Sequence, residues 1–384
     1  MKVFQSPFFY LPAVVLIAIS NDLQDIGLWQ RMAVAGFIAI IALGMGIKNL
    51  KSRLSMLEIL AFGLVAWPLV KLGSLNAPSE LYGHIARMSL LFGTMVISAE
   101  AFRNDEKGTL KAFGIGAQFA LLIAALSILP SLGEAYKEGD IYLASGKLFA
   151  HKNYAAATLL MLIPAALAVR LPETLGTWLQ RIAVGLALFE ILFLRTRGVW
   201  LAAALMALVA AGVYAAQKDS TYRNQSLIAL AVLVVGVGIA IVFGGAEKVF
   251  DSSTIQSRMH YWKASKEMFL DNPISGVGGG QWKIEYPATG LKGTNESVMN
   301  GTTSILRPHN DILWLLSETG IGALFFIGMM LLALLHLLKT KEQLLFGLTI
   351  VAFGAYGFGE FPLERTTLLI PFAVGMGYLA SRSK

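Results

Sequence analysis

Apolar stretches recur along nearly the whole chain, near residues 7–20, 32–47, 54–70, 86–102, 110–130, 153–169, 179–194, 197–215, 226–244, 310–337, 343–360 and 364–380. Their lengths approach the roughly 17–25 residues that a helix needs to cross a hydrocarbon core. In that medium each segment must satisfy its own backbone N–H and C=O groups, which leaves helices or closed barrels. The pattern predicts an all-α polytopic membrane protein with about twelve transmembrane helices. Several stretches are short for a full span, and the pair at 179–215 is interrupted only by Arg195-Thr196-Arg197. Composition agrees: 56% of the 384 residues are hydrophobic and 14% are charged, well below the roughly 25% charge of a soluble domain. Residues 1–384 are therefore expected to form one integral membrane domain. Met1-Lys2 precedes an apolar segment without a small-residue cleavage site, which suits a retained helix better than a signal peptide.

Charge asymmetry orients the chain. Lys48, Lys51, Arg53, Arg103, Lys107, Lys111, Arg170, Arg181, Lys218, Arg223, Lys339, Lys341, Arg382 and Lys384 fall on one side. Asp22, Asp25, Glu80, Glu134, Glu138 and Asp140 fall on the other. The positive-inside rule places both termini in the cytoplasm and the hydrophilic segment 245–309, between the ninth and tenth helices, outside. The formal charge of +7 is largely this bias. No basic cluster interleaved with aromatics on a soluble domain argues for nucleic acid.

The external segment is too long for a structureless connection and is expected to fold over the membrane face. Between Ser252 and Leu270, Ile255, Met259, Trp262 and Phe269 recur at helical spacing among charged residues, predicting a helix in the interface. It stops at Asp271-Asn272-Pro273, and Gly276-Val277-Gly278-Gly279-Gly280 follows as a turn-rich segment without the context of a phosphate loop. The segment ends in Arg307-Pro308-His309-Asn310-Asp311, where a polar loop turns back into an apolar helix. An imidazole there can take a proton near neutral pH while a guanidinium holds an anion.

Other basic residues stand on the same outer face. Arg195 and Arg197 break an apolar run where the positive-inside rule gives no reason for them. They either snorkel, pair with Glu190, or bind an anion. Arg258 lies on the interfacial helix, where it is a solvated charge or a partner of the others. Arg197, Arg258, Arg307 and His309 could converge, and three guanidinium groups around one imidazole would suit a pyrophosphate. His151-Lys152-Asn153 either caps a helix or contacts substrate. Asp311 and Glu318, seven apart on one helix face, either orient a basic group or serve packing. Glu360 and Arg365, in the short outer loop between the last two helices, read as an ion pair of their own or as part of the anion site. His84 and His336 carry no motif and read as structural.

Several classes of chemistry recede. There are no cysteines, and the five histidines lack metal-ligand spacing, so a metal-free and cofactor-free mechanism is expected. Twelve helices would also fit a secondary transporter, but no matching halves are visible and the polar residues gather at one surface.

Thr196-Arg197-Gly198-Val199-Trp200-Leu201-Ala202, Ser257-Arg258-Met259-His260-Tyr261-Trp262, Asn272-Pro273-Ile274-Ser275-Gly276-Val277-Gly278, and Pro308-His309-Asn310 followed by Glu318-Thr319-Gly320 resemble, in this order, signatures of the O-antigen ligase and polymerase superfamily. Phe149-Ala150-His151-Lys152-Asn153-Tyr154-Ala155 resembles a further motif of those proteins. The resemblance covers roughly residues 148–325. It implies a GT-C-like glycosyltransferase at the periplasmic face of a Gram-negative inner membrane. A ligase of this kind moves a glycan from undecaprenyl pyrophosphate to a sugar hydroxyl of lipid A-core, inverting the anomeric centre without a metal. Its partners are the lipid-linked donor, the lipid A-core acceptor and membrane lipids. By motif, Arg197 and Arg258 would bind the donor pyrophosphate and His309 would activate the acceptor hydroxyl. Arg195 and Arg307 are additional candidate phosphate ligands, with His151, Lys152, Asn153, Asp311 and Glu318 in support. The lack of a large C-terminal periplasmic domain, together with the compact loop, favours the ligase over a polymerase of O-antigen or exopolysaccharide.

Overall fold

The computed structural model describes residues 2–17, 54–140, 143–145, 148–149, 151–169, 174–218, 253–290, 296–334 and 340–383. The stretches expected at 32–47 and 226–244, parts of the external segment and His336 lie outside the described residues. Among the described residues the fold is helical, with no strand. In chain order the principal helices are α1 (Pro7–Ile17), α2 (Met56–Ala66), α3 (Pro78–Asn104), α4 (Glu106–Glu138), α5 (Lys152–Ala168), α6 (Thr174–Phe193), α7 (Arg197–Lys218), α8 (Ser253–Asp271), α9 (Asp311–Thr319), α10 (Ala323–Leu334), α11 (Lys341–Gly357) and α12 (Thr366–Arg382). Five helical stretches are long and apolar enough to cross a membrane: Met56–Ser74, Pro78–Asn104, Glu106–Glu138, Gly176–Phe193 and Asp311–Leu334. Shorter apolar helices occupy Pro7–Leu16, Lys152–Ala168 and Arg197–Val213. The chain is an integral membrane protein.

Polar caps start helices that are otherwise apolar. Ser55 and Glu58 form a reciprocal capping box on α2, Asp105 accepts from Gly108 N to start α4, and Thr340 accepts from Gln343 N to start α11. Each cap answers N–H groups that lipid would leave bare. Prolines 12, 130, 164 and 371 lie within helices, which the bundle tolerates because neighbours re-satisfy the freed groups.

Helix α12 is buried over most of its length and packs along α3. Gly377 makes that approach possible, since a Cβ there would sit 2.6 Å from Met95 O. Helix α11 packs against α5 and α7, and α4 against α1, α5 and α6. One end of the bundle is tied by Arg103 to Glu58 at 2.7 Å and by Arg382 to Glu106 at 3.0 Å. The start of α12, the N-terminus of α3 and the segment 272–290 sit at the other end, where Ala77 N donates to Gln281 Oε1 at 2.9 Å.

Helix α8 forms where the sequence predicts it, but on a different face. Ser257, Tyr261, Ala264, Ser265 and Met268 are buried, whereas Met259 is 57% exposed. Helix α8 packs against α9; small side chains permit the approach, and the Ser265 hydroxyl accepts from Trp282 Nε1 at 2.8 Å. A helix held against protein selects for fit and hydrogen bonding, whereas a helix floating on lipid would show only its apolar stripe.

Candidate functional site

The turn that carries His309 is held from both sides. Pro308 O accepts from Trp262 Nε1 at 2.9 Å, so α8 fixes the residue before it. On the other side Asn310 caps α9 by accepting from Leu313 N at 3.0 Å, while its own Nδ2 donates to Phe358 O at 3.1 Å. Between these anchors His309 adopts φ 53. The left-handed region is unfavourable for a residue with a Cβ and persists only when its surroundings impose it. The imidazole then lies 6.4 Å from the Tyr261 ring and 5.0 Å from the Phe361 ring, centroid to centroid.

Glu360, in the turn between α11 and α12, joins two of the expected residues. Its Oε2 lies 3.2 Å from His309 Nδ1, and its Oε1 accepts from Arg258 Nη2 at 2.9 Å. Glu360 is 7% exposed, whereas the His309 and Arg258 side chains keep 30% and 25% of their surfaces open. Burial pulls the Glu360 carboxyl upward, but the His309 hydrogen bond and the Arg258 charge outweigh it and hold the group below the usual carboxylate range. An ionised carboxylate thus faces an accessible imidazole, with an arginine sharing it.

The N-terminus of α5 forms a second wall. His151 takes the N-cap and its Nδ1 accepts from Asn153 N at 3.1 Å. Burial and the adjacent Lys152 charge depress the His151 imidazole below its ordinary value, with smaller opposed effects from Glu360 and Arg365. Lys152 reaches under the α6–α7 corner and donates to Leu194 O at 2.9 Å, holding a free helix C-terminus with a cation. Thr196 Oγ1 donates to Asn153 Oδ1 at 3.2 Å. These bonds set the corner that displays Arg195, itself left-handed at φ 49, and Arg197. Both arginines are exposed, and among the described residues neither has a carboxylate within ion-pair distance. Arg195 does not pair with Glu190, which is wholly buried with both carboxyl oxygens lacking a hydrogen-bond partner.

Other expected members face elsewhere. Arg307 is 9% exposed and its Nη2 pairs with Glu364, which also accepts from Arg87 at 2.9 Å. Burial lowers the Arg307 guanidinium, but the Glu364 and Glu318 charges more than restore it and fix it as a cation. Both Arg87 and Arg307 lie over the Trp314 ring, at 5.3 and 5.2 Å. Asp311 accepts from Leu363 N at 3.1 Å. Glu318 accepts from Gly280 N at 2.7 Å and Trp282 N at 3.1 Å and meets His84 Nδ1 at 3.1 Å. The glycine-rich turn is therefore docked on α9: Val277 N and Gly278 N donate to Ser317 O and Glu318 O. Gly276, at φ 66, has the Glu318 carbonyl carbon 2.3 Å from where a Cβ would stand. The sequence signal for this docking is the pairing of a glycine run with a Glu-Thr-Gly helix end, and it reads as architecture.

The structure thus brings Arg258 and His309 together through Glu360 and sets Lys152 beside Arg195 and Arg197. The expected Glu360–Arg365 ion pair does not form, because Glu360 is engaged by residues distant in sequence and Arg365 turns onto Tyr154. A carboxylate-held imidazole with cations around it can accept a proton from a hydroxyl and neutralise an anionic leaving group.

Residues 160–328 match the family model described as O-Antigen ligase. The segment includes Arg197, Arg258 and His309, and it stops before Glu360. Members of that family are enzymes acting on lipid-linked glycans. More particularly, over this segment, 169 of the 384 residues, the chain is similar to the O-antigen ligase and polymerase superfamily. No curated protein matches the chain.

Proposed function

We propose that this protein is an O-antigen ligase, transferring a glycan from undecaprenyl pyrophosphate to a sugar hydroxyl of lipid A-core at the periplasmic face of a Gram-negative inner membrane. The observation that supports this most directly is Glu360 shared between His309 and Arg258 at a rim that also carries Arg195 and Arg197. With Nδ1 donating to Glu360, the lone pair of His309 lies on Nε2, which takes the proton of the acceptor hydroxyl as its oxygen attacks the anomeric carbon. Attack opposite the departing phosphate inverts the centre, and one base suffices where glycosidases need two carboxylates. The leaving diphosphate gains negative charge, which Arg258 and Arg197 neutralise through bidentate contacts. Arg195 stands beside them, and Lys152 with Asn153 holds the corner in place. Arg307, Asp311 and Glu318 support the loop that carries His309 without reaching the reacting groups.

The lipopolysaccharide of a deletion strain tests the reading. Core without O-antigen, with polymer accumulating on the lipid carrier, is the expected result. Core bearing a single repeat unit would overturn it in favour of a polymerase, which the same superfamily contains.

A further inference from the structure

Arg365 stands out among the arginines that the fold covers wholly or in part. Arg87, Arg103 and Arg258 each have a carboxylate oxygen within 2.9 Å, and Arg307 is paired as closely. Arg365, also partly buried, has no carboxylate within ion-pair distance among the described residues. It is held instead by aromatic groups. Its guanidinium carbon lies 3.8 Å from the Tyr154 ring centroid and 5.1 Å from that of Phe361, and its Nη2 donates to the Tyr154 hydroxyl at 2.6 Å. Its Nε is buried without a hydrogen-bond partner.

Taking a cation out of water without a counter-charge is unfavourable, and cation–π contacts offset only a fraction of the cost. A fold that retains such an arrangement beside a reactive group leaves a place for an anion from outside the chain. The position fits. Phe361 touches both Arg365 and the His309 ring, the latter at 5.0 Å between centroids, and Tyr154 lies 5.8 Å from His151. Arg365 therefore sits between the His309–Glu360–Arg258 group and the α5 N-terminus that supports Arg195 and Arg197.

We infer that Arg365 is a further ligand for the diphosphate of the lipid-linked donor, its guanidinium framed by Tyr154 and Phe361. The assignment rests on the glycan-transfer reading above and extends it by a residue C-terminal to the matched segment. The stack fixes the plane of the fork before substrate arrives, and Nη1, which makes no hydrogen bond among the described residues and is not enclosed, is the group a phosphate oxygen would meet.

The test is equilibrium binding of undecaprenyl pyrophosphate to the full chain in nanodiscs, for wild type, Arg365→Met, Arg365→Lys and Tyr154→Phe, with thermal unfolding of each. Arg365→Met keeps the apolar stem and should bind about tenfold to a hundredfold more weakly. Arg365→Lys should fall between it and wild type, and Tyr154→Phe should change affinity least. Wild-type affinity in folded Arg365→Met overturns the assignment while leaving the transfer reading intact. Failure of the wild type to bind the lipid diphosphate sinks both. If Arg365→Met does not fold, unchanged affinity in Arg365→Lys overturns the assignment instead. Phosphatidylglycerol competing as well as the diphosphate, in an Arg365-dependent way, would reassign the guanidinium to bilayer headgroups and overturn it too.

Discussion

His84 and His309 make the same contact in two different settings. Each presents Nδ1 to a glutamate, His84 at 3.1 Å from Glu318 and His309 at 3.2 Å from Glu360. The first pair is wholly buried. Glu318 there also accepts from two backbone N–H groups, and its role is to hold the glycine-rich turn on α9. The second pair leaves its imidazole partly open, and its carboxylate is shared with a partly exposed arginine. Chemistry of residue type is identical in the two; access and the remaining partners separate the structural pair from the one proposed to react.

The comparison would break first at His309. His309→Ala should lower transfer in proteoliposomes by about 10²–10⁴-fold, the usual reach of a general base, with donor binding retained. Wild-type turnover would remove this histidine from the chemistry. Glu318→Ala should cost about 3–5 kcal/mol of stability, because it strands His84 and two backbone donors in the interior. Unfolding in detergent reads this directly, and an unchanged midpoint would show that the buried pair holds nothing. Glu360→Gln should reduce turnover by about 10²-fold with the protein still folded, since Gln keeps the shape but loses the charge that orients and supports the imidazole.

Acid sharpens the same distinction. Glu360 is depressed in the fold relative to the roughly 4.3 of an unfolded glutamate. Its stabilising contribution is complete above that value and disappears as pH falls through the lower folded one. Glu360→Gln should lose this limb of the stability–pH curve, and an unaltered limb would place the acid sensitivity elsewhere. The smallest effect is expected from His84→Gln, about 1–3 kcal/mol of stability with transfer per folded molecule unchanged. Reduced turnover there would mean that the two pairs are coupled.

Much of this was legible in residue order. Ten of the twelve apolar stretches fall on described helices, those at 32–47 and 226–244 lying outside the described residues, and the break at Arg195-Thr196-Arg197 is a real corner between α6 and α7. His309 and Arg258 could be singled out from type, position and motif. Glu360 could be noticed but not placed, because its partners lie 51 and 102 residues away and nothing local marks which charges will meet. The same limit applied to Arg307, adjacent in sequence to the His309 turn yet committed to Glu364, and to Asp311 and Glu318, which share a helix period but serve different backbones. On α8 periodicity located the helix and misjudged its inner face, since packing against α9 selected small and hydroxyl side chains over large apolar ones.

The convergence of Arg87 and Arg307 on Glu364 and on the Trp314 ring has a mechanical consequence. The stretch of chain leading into His309 is riveted to α3, so lifting it as a flap would break a pair of salt bridges and draw both cations off one aromatic face. That edge is braced against opening by both contacts at once.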